Sequence, residues 1–115
     1  MKTFRSLSHM KYLGSGRHRV TYDCGKFVLK IPQNRTGFDA NEREARYYKM
    51  FGRKPDSRGI VYARCKLLSN GWLVMGKVQP LEWSHEMPAW SIHVDCRQVG
   101  RARDGEIVAY DGAGI

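Results

Sequence analysis

Two close glycines, Gly14 and Gly16, stand in the run Leu13-Gly14-Ser15-Gly16-Arg17-His18-Arg19-Val20-Thr21-Tyr22. A lone lysine, Lys30, interrupts the apolar segment Phe27-Val28-Leu29-Lys30-Ile31. Glycines at this spacing permit a tight loop free of side chains, whose N–H groups can face phosphate oxygens. A lysine within an apolar strand is costly to bury unless an anion meets it. Glu44 falls on an otherwise apolar helical stripe and needs a partner for the same reason. Together these residues point to phosphate binding at a nucleotide site. Each also has a plainer reading: Gly-Ser-Gly is a common hairpin turn, and Lys30 and Glu44, read first as a buried ion pair, have unrelated surface charges as the alternative.

The elements that would position these residues follow from periodicity and turn chemistry. Residues 11–14 and 19–24 read as strands flanking the glycine loop, because Val20 and Tyr22 alternate with Arg19, Thr21 and Asp23. Cys24-Gly25-Lys26 turns the chain into a third strand, 26–31, which Pro32 stops. Residues 33–37 read as a loop by composition. A helix is predicted over 40–51, capped by Asp39 with Glu42 three residues on, with Ala40, Glu44, Tyr47, Tyr48 and Phe51 on one face. Gly52 ends it. Pro55-Asp56-Ser57-Arg58-Gly59 is a turn. Strands 60–68 and 71–78 are joined through Asn70-Gly71, a strong hairpin signal. Residues 81–94 read as a short helix or packed loop. A closing hairpin, 96–101 and 106–110, turns at Asp104-Gly105. The expected fold is α+β: a five-stranded antiparallel sheet with one helix packed across it, plus a C-terminal β-hairpin.

Length and composition bound the possibilities. The 115 residues suit a single small domain, and the 42% apolar fraction supports a core. The net charge of +9 is concentrated early, with eight Lys/Arg against one acid in residues 1–36. Such a balance favours polyanionic partners without choosing among them. Cys24, Cys65 and Cys96 are too far apart to suggest zinc ligation or a disulfide framework, which fits a reducing, cytoplasmic setting. No apolar run reads as a signal peptide or a membrane span, so no membrane partner is expected. His9, His18, His85 and His93 show no ligand spacing.

The order of these motifs resembles the N-terminal lobe of a protein kinase, and more narrowly the small kinase-like proteins encoded by tailed bacteriophages. The carriers are Gly14-x-Gly16-x-x-Arg19-x-x-Tyr22, Leu29-Lys30-Ile31, Asn41-x-x-Glu44, Leu73-Val74-Met75, and a tail with Asp95, Gln98-Val99-Gly100 and Asp111-Gly112. The resemblance implies a kinase-like domain over 1–115, with 1–80 N-lobe-like and 81–115 a reduced catalytic segment. It implies ATP with magnesium as ligand. Gly14 and Gly16 would cover the phosphates, Lys30 would meet them while paired to Glu44, and Met75, Gly76 and Val78 would border adenine. Asp95 would be the catalytic base, and Asp111 and Gln98 the metal ligands. The chain departs from the pattern in ways that weaken catalysis. Only sixteen residues separate Val78 from Asp95, His93-Val94-Asp95 replaces His-Arg-Asp, and the aromatic after Asp111 is missing.

Three functions follow as expectations. The first is a non-catalytic, pseudokinase-like phage protein that binds and modulates a host protein in the host cytoplasm. Trp83, Trp90, Arg17 and Arg19 would contact the partner, and a homodimer is the other way to cover an open face. Trp83 and Trp90 read most simply as core or lid packing, with the partner anchor as the alternative. The second is an ATP- and magnesium-binding minimal kinase. The third is a basic nucleic-acid-binding protein, for which no helix-turn-helix, zinc finger or stacking motif speaks.

Overall fold

The computed structural model of the chain describes residues 10–81, 87–94 and 98–110. Strands β1 (Lys11–Ser15), β2 (Arg19–Asp23) and β3 (Phe27–Pro32) form a meander. Helix α1 (Arg35–Phe51) follows, then β4 (Cys65–Leu67) and β5 (Leu73–Gly76). These five strands make one antiparallel sheet in the order β1-β2-β3-β5-β4, and α1 packs on it. A second antiparallel sheet, in the order β6-β7-β8, contains β6 (Val78–Pro80), β7 (Val99–Ala102) and β8 (Ile107–Ala109). A short 3₁₀ helix, Ala89–His93, precedes β7. The α+β architecture with a five-stranded sheet, one packed helix and a closing hairpin is therefore as expected, and β6 adds a third strand to that hairpin.

Three element boundaries differ from the sequence reading. The helix begins at Arg35, five residues earlier than expected, and Asn34 caps it in place of Asp39: the Asn34 side chain accepts a hydrogen bond from the Gly37 N–H at 2.9 Å. Gly37 looked like a loop residue, yet it lies in the first turn, where a Cβ would collide with the His18 carbonyl oxygen. The expected strand 60–68 pairs in the sheet only over Cys65–Leu67. Residues 60–63 instead run between two core clusters. Ile60 and Tyr62 join Val94, Val99 and Ala109, while Val61 and Ala63 join Leu73, Met75 and Val108. Alternate side chains enter opposite clusters, as the period of two in an extended chain requires. A parallel bridge between Tyr62 and Ala109 holds this segment to β8. The expected strand 71–78 breaks at Lys77, so its two halves belong to different sheets.

Asp56 organises the turn before residues 60–63. Its carboxylate accepts hydrogen bonds from the Arg58 N–H (2.8 Å), the Ile60 N–H (3.0 Å) and the Tyr62 hydroxyl (2.6 Å). Burial pushes the Asp56 pKa up, but the bonds from Tyr62, Arg58 and Ile60 outweigh it and hold the group below the ordinary carboxylate value. Burial, with Asp56 beside it, raises the Tyr62 hydroxyl. Arg53, just beyond α1, reaches Asp104 at 2.7 Å and Glu106 at 2.6 Å, tying the helix end to the β7–β8 turn.

Two outcomes are expected. Gly37→Ala is expected to destabilise the fold by about 1–3 kcal/mol in urea unfolding, because the backbone carbonyl it meets has little room to yield. Gly16→Ala, where a Cβ meets nothing within 4 Å, is expected to leave stability nearly unchanged. The second concerns acid. A carboxylate held below its unfolded value near 3.9 stabilises the fold above that pH and loses the effect as pH falls through the lower folded value. Unfolding free energy measured from about pH 5 down to about pH 2 is therefore expected to drop less steeply in Asp56→Asn than in the parent chain.

Candidate functional site

Lys30 lies near the middle of β3, paired across the sheet with Thr21 on β2 and Leu73 on β5. It is only 5% exposed. Its burial is tolerable because α1 brings Glu44 beneath it: Lys30 Nζ donates to Glu44 Oε1 at 3.0 Å and to the Tyr110 carbonyl at 2.6 Å. The second carboxylate oxygen, Oε2, lies 2.7 Å from Arg19 Nη1 in an ion pair. One buried carboxylate thus stands between two cations. Removing one member of such a group strands a charge in a low-dielectric setting, which costs far more than losing a surface pair.

Asn41, one turn before Glu44 on the inner face of α1, is fully buried. Its amide nitrogen donates to the Lys30 carbonyl at 3.0 Å and to the Gly71 carbonyl at 2.9 Å, and its oxygen accepts from Arg19 Nη1 at 3.1 Å. A single side chain therefore ties α1 to β3, to the β4–β5 turn and to Arg19. Asn41 belongs to the Asn41-x-x-Glu44 motif, whose spacing assigns the asparagine no role of its own. The available signal was an asparagine between Ala40 and Glu44 on the inward stripe. Gly71, with φ of +90°, lies so close to Phe38 that any side chain there would collide with its ring. Cys65 donates its thiol to the Glu44 carbonyl at 3.5 Å. Burial, and then the neighbouring Glu44 carboxylate, push that thiol up to about 12, so it stays protonated and unreactive at neutral pH.

Above Lys30 opens a cleft of about 820 Å³, a size typical of small-molecule sites. Gly14 lines it from within β1, where it pairs with Thr21 rather than standing in a loop as expected, and Gly16 lines it from the β1–β2 turn, with Arg17 and Arg19 beside them. Leu13, Val28, Ala40 and Met75 supply apolar wall, and Gly76, Val78 and Gln98 complete the predicted residues on its lining. Lys30 Nζ carries three N–H donors, and two go to Glu44 and Tyr110. The third is unmatched among the described residues, and Lys30 lines the cleft.

The segment 76–78 contributes backbone as well as surface. Leu81 N–H donates to the Val99 carbonyl, and β6 and β7 pair with Gln79 opposite Arg101 and Val78 opposite Ala102. Directions alternate along an antiparallel ladder. Val78 and Pro80 therefore point their backbone polar groups away from β7, and Pro80 has no N–H to leave unpaired there. Since β6 is an edge strand, the Val78 N–H and C=O face outward from the sheet, at a residue that borders the cleft.

The structure thus gathers Gly14, Gly16, Lys30, Met75, Gly76, Val78 and Gln98 around one cleft, with Glu44 under Lys30. Arg17 is exposed at this cleft, whereas the Arg19 side chain is only 11% exposed and turned towards Glu44 and Asn41. Trp90 is half-buried and packs against both core clusters. Asp95, Asp111 and Trp83 lie outside the described residues. Among the described residues no cluster of His, Cys, Asp or Glu could hold a metal ion, and no helix is long and apolar enough to cross a membrane. No family model matches the chain, and no curated protein gives a significant match.

Glu44→Gln is expected to destabilise the fold by about 3–5 kcal/mol in chemical unfolding, because it leaves Lys30 and Arg19 buried without their shared anion. Lys66→Ala, at an exposed site on β4, is the reference and is expected to change stability by less than about 0.5 kcal/mol.

Proposed function

We propose that this chain is a kinase-like, non-catalytic module that binds a purine nucleoside triphosphate in the cleft above Lys30. The observation that supports this most is Lys30 itself. It is buried, held by Glu44 at 3.0 Å, and carries an unmatched donor at a cleft that glycines border. A lysine oriented in this way meets a phosphate without having to reorganise. The Gly16 N–H is engaged by the Arg19 carbonyl at 2.9 Å, so what this turn offers a phosphate is room free of side chains at Gly16, and Arg17 adds charge beside it. The outward-facing N–H and C=O of Val78 match the alternating donor and acceptor edge of a purine. Leu13, Val28 and Met75 offer the apolar faces that a planar base requires.

The resemblance to small phage kinase-like proteins carries the proposal from ligand to role. A module with this cleft and only sixteen residues between Val78 and Asp95 serves as a nucleotide-dependent binding protein acting on a host protein. Magnesium, bound with the nucleotide, would neutralise phosphate charge. No phosphoryl-transfer step is assigned, because such chemistry depends on groups positioned around the transferring phosphate.

Thermal unfolding with ATP and magnesium tests this. At ligand tenfold above Kd the stabilisation is about 1.4 kcal/mol, which raises Tm by several degrees in a domain of this size. Adenosine is expected to give a smaller shift than ATP. Lys30→Met is expected to abolish the ATP response, and Arg17→Ala, an exposed change that leaves the fold intact, is expected to reduce it several-fold. An unchanged Tm at about 5 mM ATP, with and without magnesium, would remove the proposal.

A further inference from the structure

A second groove, of about 500 Å³, shares Gly76, Lys77 and Val78 with the cleft but is otherwise built from different residues. Its apolar surface comes from the half-buried Val78 and Ala102, with the core residue Ala63 behind them. Cations surround it from separate parts of the chain: Lys26 in the β2–β3 turn, Arg64 before β4, Arg103 in the β7–β8 turn, together with Arg53 and Lys77. Among the described residues, Asp104 is the only acid in its lining.

The five cations differ in what already engages them. Arg53 is held by Asp104 and Glu106, and Lys77 donates to Asp23 at 2.8 Å. Lys26, Arg64 and Arg103 are exposed, and none has an ion-pair partner among the described residues. Gathering unneutralised like charges around a concave, partly apolar surface raises their mutual repulsion. An anion entering the groove relieves it, and the low-dielectric wall strengthens the attraction.

We propose that this groove docks an extended acidic segment of a partner protein, with apolar residues seated on Val78 and Ala102 and carboxylates meeting Lys26, Arg64 and Arg103. Alternating acidic and small apolar side chains match an apolar centre inside a cationic rim. A nucleic-acid strand matches it less well. None of the lining residues among those described is aromatic, so bases find no stacking platform there, and a phosphodiester chain would bring hydrated charge onto methyl groups.

Fluorescence anisotropy with a labelled peptide of about eight alternating glutamates and valines tests the docking, beside an oligothymidylate of similar charge. The double variant Arg64→Glu/Arg103→Glu is expected to weaken peptide binding by at least ~10-fold. The double variant Lys49→Glu/Lys66→Glu changes net charge equally at exposed positions outside the groove, and it is expected to weaken binding by less than ~3-fold. Arg17→Ala is expected to leave peptide binding unchanged, so the groove and the nucleotide cleft fail or succeed separately. Equal weakening by the two double variants would overturn the proposal, because it reports diffuse charge rather than a groove. So would the absence of peptide binding at low salt. Tighter binding of the oligonucleotide, lost on groove reversal, would replace the acidic segment with a nucleic acid.

Discussion

Glu44 is a carboxylate 4% exposed, set between Lys30 and Arg19 and within 3.0 Å of each. A buried charge is tolerated only when its partners are close and correctly placed, so this one group constrains much of the structure. The cations come from two neighbouring strands, and the anion comes from the helix that crosses them. Helix α1 must therefore sit at one height and one rotation on the sheet. Asn41 fixes the same arrangement with neutral bonds. It joins the helix to the Lys30 carbonyl, to Gly71 and to Arg19. The result is a lysine buried at the bottom of an open cleft, rigid before any ligand arrives.

The second constraint is the break at Lys77. Strand β5 belongs to the larger sheet and β6 to the smaller one, so one short segment borders both the cleft and the basic groove. Residues 60–63 lock the two sheets together from within. Their alternate side chains enter both core clusters, and their backbone pairs with Ala109. A ligand in the cleft and a partner in the groove would meet the same three residues, Gly76, Lys77 and Val78.

Much of the fold was legible because its signals are local. The alternation of Val20 and Tyr22, the Asn70-Gly71 turn and the helical stripe from Ala40 to Phe51 each rest on periodicities that a strand, a turn or a helix imposes by itself. The boundaries that misled were those decided by distant residues. Residues 33–37 look like a loop, yet Asn34 caps a helix there and Gly37 is required by contact with His18. Residues 60–63 look like a sheet strand, yet they are buried on both faces between clusters. The run 71–78 carries one local signal, Gly76-Lys77, but nothing in it tells that the strands on either side belong to different sheets.

For the site, the sequence alone determined which residues were chemically anomalous: a lysine in an apolar strand, a glutamate on an apolar helical face, and glycines at close spacing. Burial physics makes such residues conspicuous whatever the fold, because an ion in a core needs a counter-ion. Only the tertiary structure decided who the partners are. It shared Glu44 between Lys30 and Arg19, made Asn41 the connecting residue, and turned the edge of Val78 outward beside the cleft. These are relations between residues far apart in the chain, and periodicity carries no information about which distant surface a side chain will meet.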